Sequence, residues 1–230
     1  MIRVVPEVRA IPTDPLKLVN QITQAINLGR SPEEVLDLVY AKLHGLVPYN
    51  RIAIALTNEG HTKLTIIAAR SDRPMILRQG YSDSQTGSRL EALIWGGRIR
   101  IINDLEGYLT KKPSSESTRL MLREGMRSSL TIPLLIQGKP IGVMFFSSET
   151  VNAYTREHED FLESVVGHVA IAIDRARLLD TIRANQEDLV RSRSLAAVGE
   201  LAATVAHEIK NPLAGISGAI QVLRDELPKD

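Results

Sequence analysis

A histidine, a carboxylate and an amide lie close together near the C-terminal end of this 230-residue chain. Glu208 follows His207 directly, and Asn211 comes four residues after the histidine. An unperturbed histidine has a pKa of about 6.5, so its ring is mostly neutral at cellular pH and a ring nitrogen can attack phosphorus. Glu208 can accept the ring proton or hold the reactive tautomer, and the Asn211 amide can orient a water molecule. These residue types suit transfer of a phosphoryl group to His207.

Hydrophobic residues around this group recur every three or four positions, which predicts an amphipathic helix; they are Leu195, Val198, Ala202, Val205, Ile209, Leu213, Ile216, Ile220, Leu223 and Leu227. His207 lies about 200° around the helix from Val205 and from Ile209, so we expect its ring to face solvent. Pro212 lacks the backbone donor that would bond the carbonyl of Glu208. The sequence therefore predicts a bend at this position.

The motif that begins at His207, His-Glu-x-x-Asn-Pro-Leu, resembles the phosphoacceptor box of sensor histidine kinases, as does the approach Leu195-Ala-Ala-Val-Gly-Glu-Leu-Ala202. The resemblance implies that His207 accepts the phosphoryl group and that Glu208 assists the transfer. It also implies that Asn211 supports phosphatase activity toward a response regulator, whose aspartate receives the group. ATP and Mg²⁺ would act through a catalytic domain that nothing in this chain resembles. We therefore expect the chain to be part of a longer kinase, unable to autophosphorylate alone.

The same residues approach the zinc-protease motif His-Glu-x-x-His, in which two histidines one turn apart bind the metal. Asn211 occupies the second position and is a poor zinc ligand, and the chain has no cysteine to replace it. No metal site is predicted. The lack of cysteine also excludes disulfides, cysteine nucleophiles and thioether attachment of a chromophore.

The composition is that of an ordinary globular protein, with 43% hydrophobic and 24% charged residues. A formal net charge of +1 gives no reason to expect nucleic acid or a membrane surface as a partner. Residues 1–14 do not resemble a signal peptide, and no apolar run approaches the roughly 18 residues that span a bilayer. The expected location is cytoplasmic.

The first part of the chain predicts an α+β domain. Ser31-Pro32-Glu33-Glu34 has the pattern of a capping box at the start of a helix. The other predicted elements are a helix over 16–26, strands over 51–57 and 63–69, a long loop or short helices over 71–88, a strand over 98–102, a helix over 114–124, a hairpin of 129–136 with 140–147, and a long helix from Thr155.

This order of elements resembles a GAF domain over residues 14–179, with matching segments at 98–104, 129–135, 138–144 and 161–173. The resemblance implies a central antiparallel sheet flanked by helices, a small-molecule pocket and terminal helices that pair in a dimer. Bilin attachment, and the sulfoxide-reductase chemistry of some members, both need cysteine, and the cyclic-nucleotide signature is missing. The ligand is unknown. Haem bound through His44, His61 or His168 stays open, and Tyr81, Trp95, Arg98 and Arg100 are candidate pocket residues or simply core and sheet-edge residues.

Residues 180–194 are strongly charged and predict a coiled-coil connector, because Ile182, Leu189, Ala196 and Ala203 recur every seven residues. A seam this narrow needs a partner, which favours a parallel homodimer over a solvated single helix. The predicted organisation is an extension (1–13), the GAF domain (14–179), the connector (180–194) and a truncated first helix of the dimerisation and phosphoacceptor domain (195–230). The alternative is a non-catalytic dimeric scaffold that docks a separate kinase or regulator; the reading frame beyond Asp230 distinguishes the two.

Overall fold

The computed structural model describes residues 20–24, 28–58, 60, 62–84 and 96–226. The chain divides into two compact units, residues 1–177 and residues 178–230. The labelled elements are α1 (Pro32–Leu43), β1 (Arg51–Thr57), β2 (Lys63–Ser71), β3 (Ser82–Ser84), β4 (Arg100–Ile102), α2 (Leu105–Lys111), α3 (Glu116–Arg123), β5 (Ser128–Ile136), β6 (Lys139–Ser148) and α4 (Arg156–Glu226).

The six strands form one antiparallel sheet in the order β3-β2-β1-β6-β5-β4. One face packs against α1 and the beginning of α4, and its largest buried side chains include Leu36, Leu43, Ile52, Ile54, Leu130, Ile132 and Phe146. The other face packs against α2 and α3 around Ala53, Ala55, Leu64, Ile66, Leu105, Met121 and Val143. β1 is buried on both faces, so it shows almost no polar alternation. This confirms the α+β architecture with an antiparallel sheet between helices.

The start of α1 and the turn after β5 show how local sequence determines local structure. Ser31 accepts a hydrogen bond from the backbone N–H of Glu34, and the Glu34 carboxylate accepts one from the N–H of Ser31, as the capping box predicts. The β5–β6 hairpin turns through Gln137 and Gly138, with φ of 50° and 77°. Positive φ at both central residues gives the turn the twist that matches the strands.

The structure corrects several sequence-based boundaries. The stretch predicted as loop over 71–88 contains β3, which pairs with β2. The strand predicted over 98–102 is shorter and begins at Arg100. No sequence pattern indicated α2, which is only seven residues long and contains Gly107. The Asp104 side chain caps this helix by accepting from the Gly107 N–H at 2.9 Å.

The predicted first helix lies largely outside the described residues, of which 20–24 are helical. At the other end of the chain, α4 continues without a break through Pro212 to Glu226. None of the helices in the described ranges is long and apolar enough to cross a membrane.

Candidate functional site

The second unit places the three sequence-predicted catalytic positions on α4. Residues His207, Glu208 and Asn211 all have helical backbone. Four residues of helix rise about 6 Å and turn through slightly more than a full revolution, so positions 207 and 211 share one face. The side chains of these three residues lie outside the described part of the structure. The described backbone therefore places positions 207 and 211 one helical turn apart, and the roles of their side chains stay predictions.

Around these positions α4 exposes a row of large apolar side chains. Ile209, Leu213, Ile216 and Ile220 are 54–60% exposed and recur at spacings of three or four residues. Isolated exposed apolar residues are common, but a continuous helical stripe is typical of a surface that packs against another helix. The stripe includes the residue two positions after His207 and the residue that follows Pro212.

The first unit contains a cavity of about 70 Å³ between the sheet and α3. Its wall is mostly apolar and carries four polar or charged side chains; the lining residues are Arg51, Ala55, Leu64, Ile66, Leu77, Tyr81, Asp83, Ser117, Met121 and Phe145. One water molecule needs about 10–15 Å³ on the same measure, so the cavity has room for a small ligand of several atoms.

Arg51, one of the residues that line this cavity, belongs to a buried ion pair. The side chains of Arg51 and Glu124 are only 2% and 1% exposed, and Nε of Arg51 lies 3.5 Å from Oε2 of Glu124. Burial lowers the pKa of Arg51, and the neighbouring Glu124 carboxylate opposes this. Glu124 Oε1 accepts the backbone N–H groups of Ile76 and Leu77 at 2.5 and 2.6 Å, while Nη2 of Arg51 donates to the Leu77 carbonyl at 2.6 Å. The pair therefore ties the β2–β3 loop to β1 and to the end of α3.

Two atoms of this ion pair remain unsatisfied. Nε of Arg51 and Oε2 of Glu124 are buried and have no hydrogen-bond partner among the described residues. Neither Arg51 nor Glu124 was predicted from the sequence to be functional. A single charged residue at the start of an apolar strand, such as Arg51, forms no periodic pattern that would indicate its role. The available signal was Arg51 itself, immediately before the buried run Ile52-Ala-Ile-Ala-Leu56.

The other sequence candidates are scattered. Tyr81 lines the cavity, whereas Arg98 is exposed and Arg100 stacks over the Tyr108 ring, with its guanidinium carbon 4.7 Å from the ring centroid. Trp95 and His61 lie outside the described residues.

The two described haem candidates lie away from this cavity wall. His44 is exposed at the end of α1, next to the ring of Tyr49, and His168 is half-buried on α4; neither belongs to the cavity lining. In the described part of the chain, no three His, Asp or Glu side chains cluster in a way that would hold a metal ion.

Two known domain families match this chain, one in each of its two parts. Residues 29–174 match the GAF domain family, and these residues form the sheet, its flanking helices and the cavity. The chain belongs to the GAF domain family. After the GAF domain, residues 197–230 match the His Kinase A (phospho-acceptor) domain, which includes His207, Glu208 and Asn211.

A curated relative is sporulation kinase C of Bacillus subtilis (strain 168), which is 31% identical over 88 residues. That alignment covers 38% of this chain and 20% of the kinase, so it spans about a fifth of the relative's length. A GAF domain followed by a phosphoacceptor domain is an organisation of two-component histidine kinase signalling proteins, and the similarity to sporulation kinase C supports this assignment.

Solved structures share the fold of the GAF domain. The phycoerythrobilin-bound GAF domain of a cyanobacterial phytochrome is 14% identical, with a TM-score of 0.59 over 74% of this chain and 100% of that chain. The GAF domain of an Acinetobacter phosphoenolpyruvate-protein phosphotransferase is 17% identical, with a TM-score of 0.55 over 73% and 97%. A methyl-accepting chemotaxis protein is 22% identical, with a TM-score of 0.54 over 70% and 98%. At these identities the similarity establishes the fold and leaves the ligand open.

Proposed function

We propose that this chain is the sensing and phosphoacceptor portion of a two-component sensor histidine kinase. In this proposal the GAF domain detects a signal, His207 accepts a phosphoryl group derived from ATP, and the group passes to an aspartate of a response regulator. The observation that carries the proposal is the match of residues 197–230 to a phosphoacceptor domain, with the His-Glu-x-x-Asn-Pro motif on a helix. The GAF domain that precedes it supports the sensing role.

The chemistry at His207 follows from its neighbours. A neutral imidazole nitrogen attacks the γ-phosphorus of ATP; a nitrogen–phosphorus bond forms as the bond to the ADP oxygen breaks, and ADP leaves with that electron pair. Glu208 accepts the proton from the other ring nitrogen, which keeps the imidazole nucleophilic throughout the step. Mg²⁺, bound together with ATP on a catalytic domain of the same kinase, would neutralise the phosphate charge.

Asn211 has the reverse role in this proposal. Its amide, one helical turn after His207, orients a water molecule toward the aspartyl phosphate of the response regulator, so that hydrolysis returns the regulator to its resting state. An amide does not titrate near neutral pH, so it positions the water without competing with Glu208 for the histidine proton. Forward and reverse activities would then depend on different residues of one helix face.

The exposed apolar residues of α4 before the phosphoacceptor positions suit a homodimer. Leu178, Ile182 and Leu189 on α4 are 57, 51 and 57% exposed, and Ile182 and Leu189 are seven residues apart. Apolar residues at this spacing pair in coiled coils. We propose that a second copy covers this face, and that the GAF domain regulates phosphorylation by shifting the two helices between alternative pairings.

The test is labelling of the kinase from ATP with a label on the γ-phosphate, using a polypeptide that continues through the downstream reading frame. Label that acid removes and base retains is expected in the wild-type protein and in a His168→Gln control, and is expected to be lost in His207→Gln. Acid-labile label that persists in His207→Gln would contradict the proposal. A folded full-length protein that takes up no label would favour the docking scaffold instead.

Asn211→Ala separates the two activities. We expect it to lower the rate of response-regulator dephosphorylation about 10-fold or more, as loss of a water-positioning group does, while histidine labelling changes little. Equal losses in both assays would remove the role assigned to Asn211.

A further inference from the structure

The cavity of the GAF domain has a carboxylate in its wall, on the outermost strand β3. Asp83 lies directly opposite Leu64 of β2, and opposed residues of an antiparallel pair place their side chains on the same face of the sheet. Leu64 lines the cavity, so Asp83 faces it as well. Tyr81, two residues earlier, accepts the backbone N–H of Ile66 at 2.9 Å and also lines the cavity. Tyr81 and Asp83 are therefore neighbours on one side of the cavity.

Asp83 gives this wall its net charge. The other charged residue of the lining, Arg51, is paired with the buried carboxylate of Glu124, and the pair is neutral as a whole. Among the described residues, none forms an ion pair or a hydrogen bond with the Asp83 side chain. A single uncompensated carboxylate favours a cation and disfavours an anion in this cavity.

Two hydroxyl groups accompany the carboxylate. Tyr81 and Ser117 both line the cavity, and Ser117 lies near the start of α3. Burial raises the pKa of Tyr81, and the charges of Asp83 and of Glu116, the residue before Ser117, add to this, so the Tyr81 hydroxyl lies near both elements. Glu116 is itself paired with Arg119. A primary ammonium group has three N–H donors, which suits one carboxylate and two hydroxyls; a quaternary ammonium group has none.

The rest of the wall is apolar and the space is small. Its apolar side chains are Ala55, Leu64, Ile66, Leu77, Met121 and Phe145. The volume of about 70 Å³ is roughly five times what one water needs, which admits about four to six non-hydrogen atoms. A hydrocarbon chain gains free energy on transfer from water to such a wall, whereas a second charge would lie there without a partner.

Resting on the sensing role proposed for the GAF domain, we propose that this cavity binds a short primary monoamine. The ammonium group of the ligand donates to the Asp83 carboxylate and to the hydroxyls of Tyr81 and Ser117, and its alkyl chain packs between the sheet and α3. An alkylammonium group has a pKa of about 10.4, as in lysine, so the ligand is charged at cellular pH. An alcohol of the same shape lacks the charge, and a diamine of similar length carries one charge too many.

Titration of the isotopically labelled 230-residue chain, followed by amide chemical shifts, tests this assignment with matched probes. Butylamine has the required ends, 1-butanol is its neutral counterpart, and 1,4-diaminobutane adds a second ammonium group. We expect butylamine to bind about tenfold or more tightly than either of the other two, because a hydrogen bond to a charged group contributes at least this factor. Equal affinity of butylamine and 1-butanol, or no binding of butylamine at millimolar concentration, would overturn the proposal.

The same spectra locate the bound amine without any substitution. Amides of β2, β3 and α3 should shift on addition of butylamine, and those of residues 178–226 should not. Shifts confined to regions outside β2, β3 and α3 would show that the amine binds elsewhere and would overturn the proposal.

Replacement of the carboxylate tests its role. Asp83→Asn keeps the shape and removes the charge, so it should weaken butylamine about tenfold and leave 1-butanol unchanged. The exposed control Asp160→Asn should bind butylamine as the wild type does. Wild-type affinity for butylamine in Asp83→Asn would contradict the assignment.

Binding and phosphorylation can be separated. His207→Gln should bind butylamine normally, because the titration needs no phosphorylation. A kinase labelled on His207 that does not bind butylamine would overturn this inference alone, and binding without labelling would overturn the proposed function alone.

Discussion

Buried tyrosine hydroxyls affect the stability of this GAF domain in different ways. Tyr154, just before α4, is 3% exposed, and its hydroxyl has no hydrogen-bond partner among the described residues. Burial raises the pKa of Tyr154 well above its ordinary value, and the nearby Tyr49 adds to this effect. Tyr49 differs, because its hydroxyl donates to the carbonyl of Tyr40. Two neighbouring tyrosines thus have opposite energetic roles.

Removal of the two hydroxyls should therefore have opposite effects. Tyr154→Phe keeps the ring and deletes an unsatisfied polar atom, so we expect the free energy of unfolding to rise by about 1 kcal/mol. The matched variant Tyr49→Phe deletes a satisfied hydroxyl and should lower it by about 1 kcal/mol. Urea denaturation of the three proteins measures both changes. A Tyr154→Phe protein that is clearly less stable than the wild type would mean that the hydroxyl has a partner.

The start of α4 depends on the protonation state of a histidine. The backbone N–H of Thr155 donates to Nδ1 of His158 at 3.2 Å, an arrangement that requires this nitrogen to be unprotonated. His158 occupies the position at which capping boxes have Glu or Gln. Burial lowers the pKa of His158 below its ordinary value, and the neighbouring Glu157 partly opposes this. The sequence predicted a long helix from Thr155, and the structure adds the contact of Thr155 with His158 at its start.

This contact gives the GAF domain a defined pH dependence. The unfolded chain takes up a proton on His158 near its ordinary pKa of about 6.5, whereas the folded state does so only at lower pH. The free energy of unfolding should therefore fall as the pH decreases through about 6.5 and level off below the folded pKa. His158→Gln should lose this part of the dependence and keep the cap, which urea denaturation at several pH values between about 7.5 and 5 measures. Identical pH profiles for both proteins would count against the contact.

Within the sheet, one glycine sets how closely two strands approach. A Cβ built on Gly142 of β6 would lie 2.2 Å from the carbonyl oxygen of Ala55 and 2.9 Å from Cα of Leu56. Both atoms belong to the backbone of β1, which cannot move without disturbing its pairing with β2 as well. The glycine is therefore needed for contact between the two central strands.

The same substitution at two glycines should give opposite results. Gly142→Ala forces β6 away from β1, so we expect the free energy of unfolding to drop by about 2 kcal/mol or more. Gly167→Ala lies in the interior of α4 with nothing within 4 Å of the added carbon, and it should be neutral or stabilising by up to about 1 kcal/mol. Thermal or urea unfolding checks both. A Gly142→Ala protein as stable as the wild type would show that the strands separate at no cost.

At the scale of the whole molecule, the sequence predicts elements with strong periodicity and fails on short ones. The capping box of α1, the turn at Gly138 and the long α4 all follow from local patterns. β3 is three polar residues that become a strand only because β2 offers an edge, and α2 depends on its cap at Asp104. The resemblance implied a pocket and Tyr81 was a candidate for its wall, but the other lining residues, such as Arg51 and Ser117, were missed because they are distant in sequence. The motif at His207 was readable because it is contiguous, although its side-chain roles stay predictions.

Dimerisation is the whole-molecule property most accessible to mutation. Leu189 lies on the seven-residue seam and Val190, its neighbour, lies off it; both are exposed, at 57 and 69%. Leu189→Asp places two like charges at the seam of a parallel pair, so we expect dimer at micromolar concentration to give way to monomer. Val190→Asp should remain a dimer. Light scattering measures the mass of each, and a monomeric wild type or equal behaviour of the two variants would contradict the predicted dimer.

The central claim is that His207 carries the phosphoryl group, and peptide mapping tests it most directly. Trypsin releases residues 194–210 from this chain as one peptide whose only histidine is His207. After phosphorylation of the chain by a catalytic domain supplied in trans, mass spectrometry at alkaline pH should find one added phosphoryl group on this peptide, and brief acid treatment should remove it. An acid-stable group on Ser194 or Thr204, or an acid-labile group on a peptide from another region of the phosphorylated chain, would contradict the account.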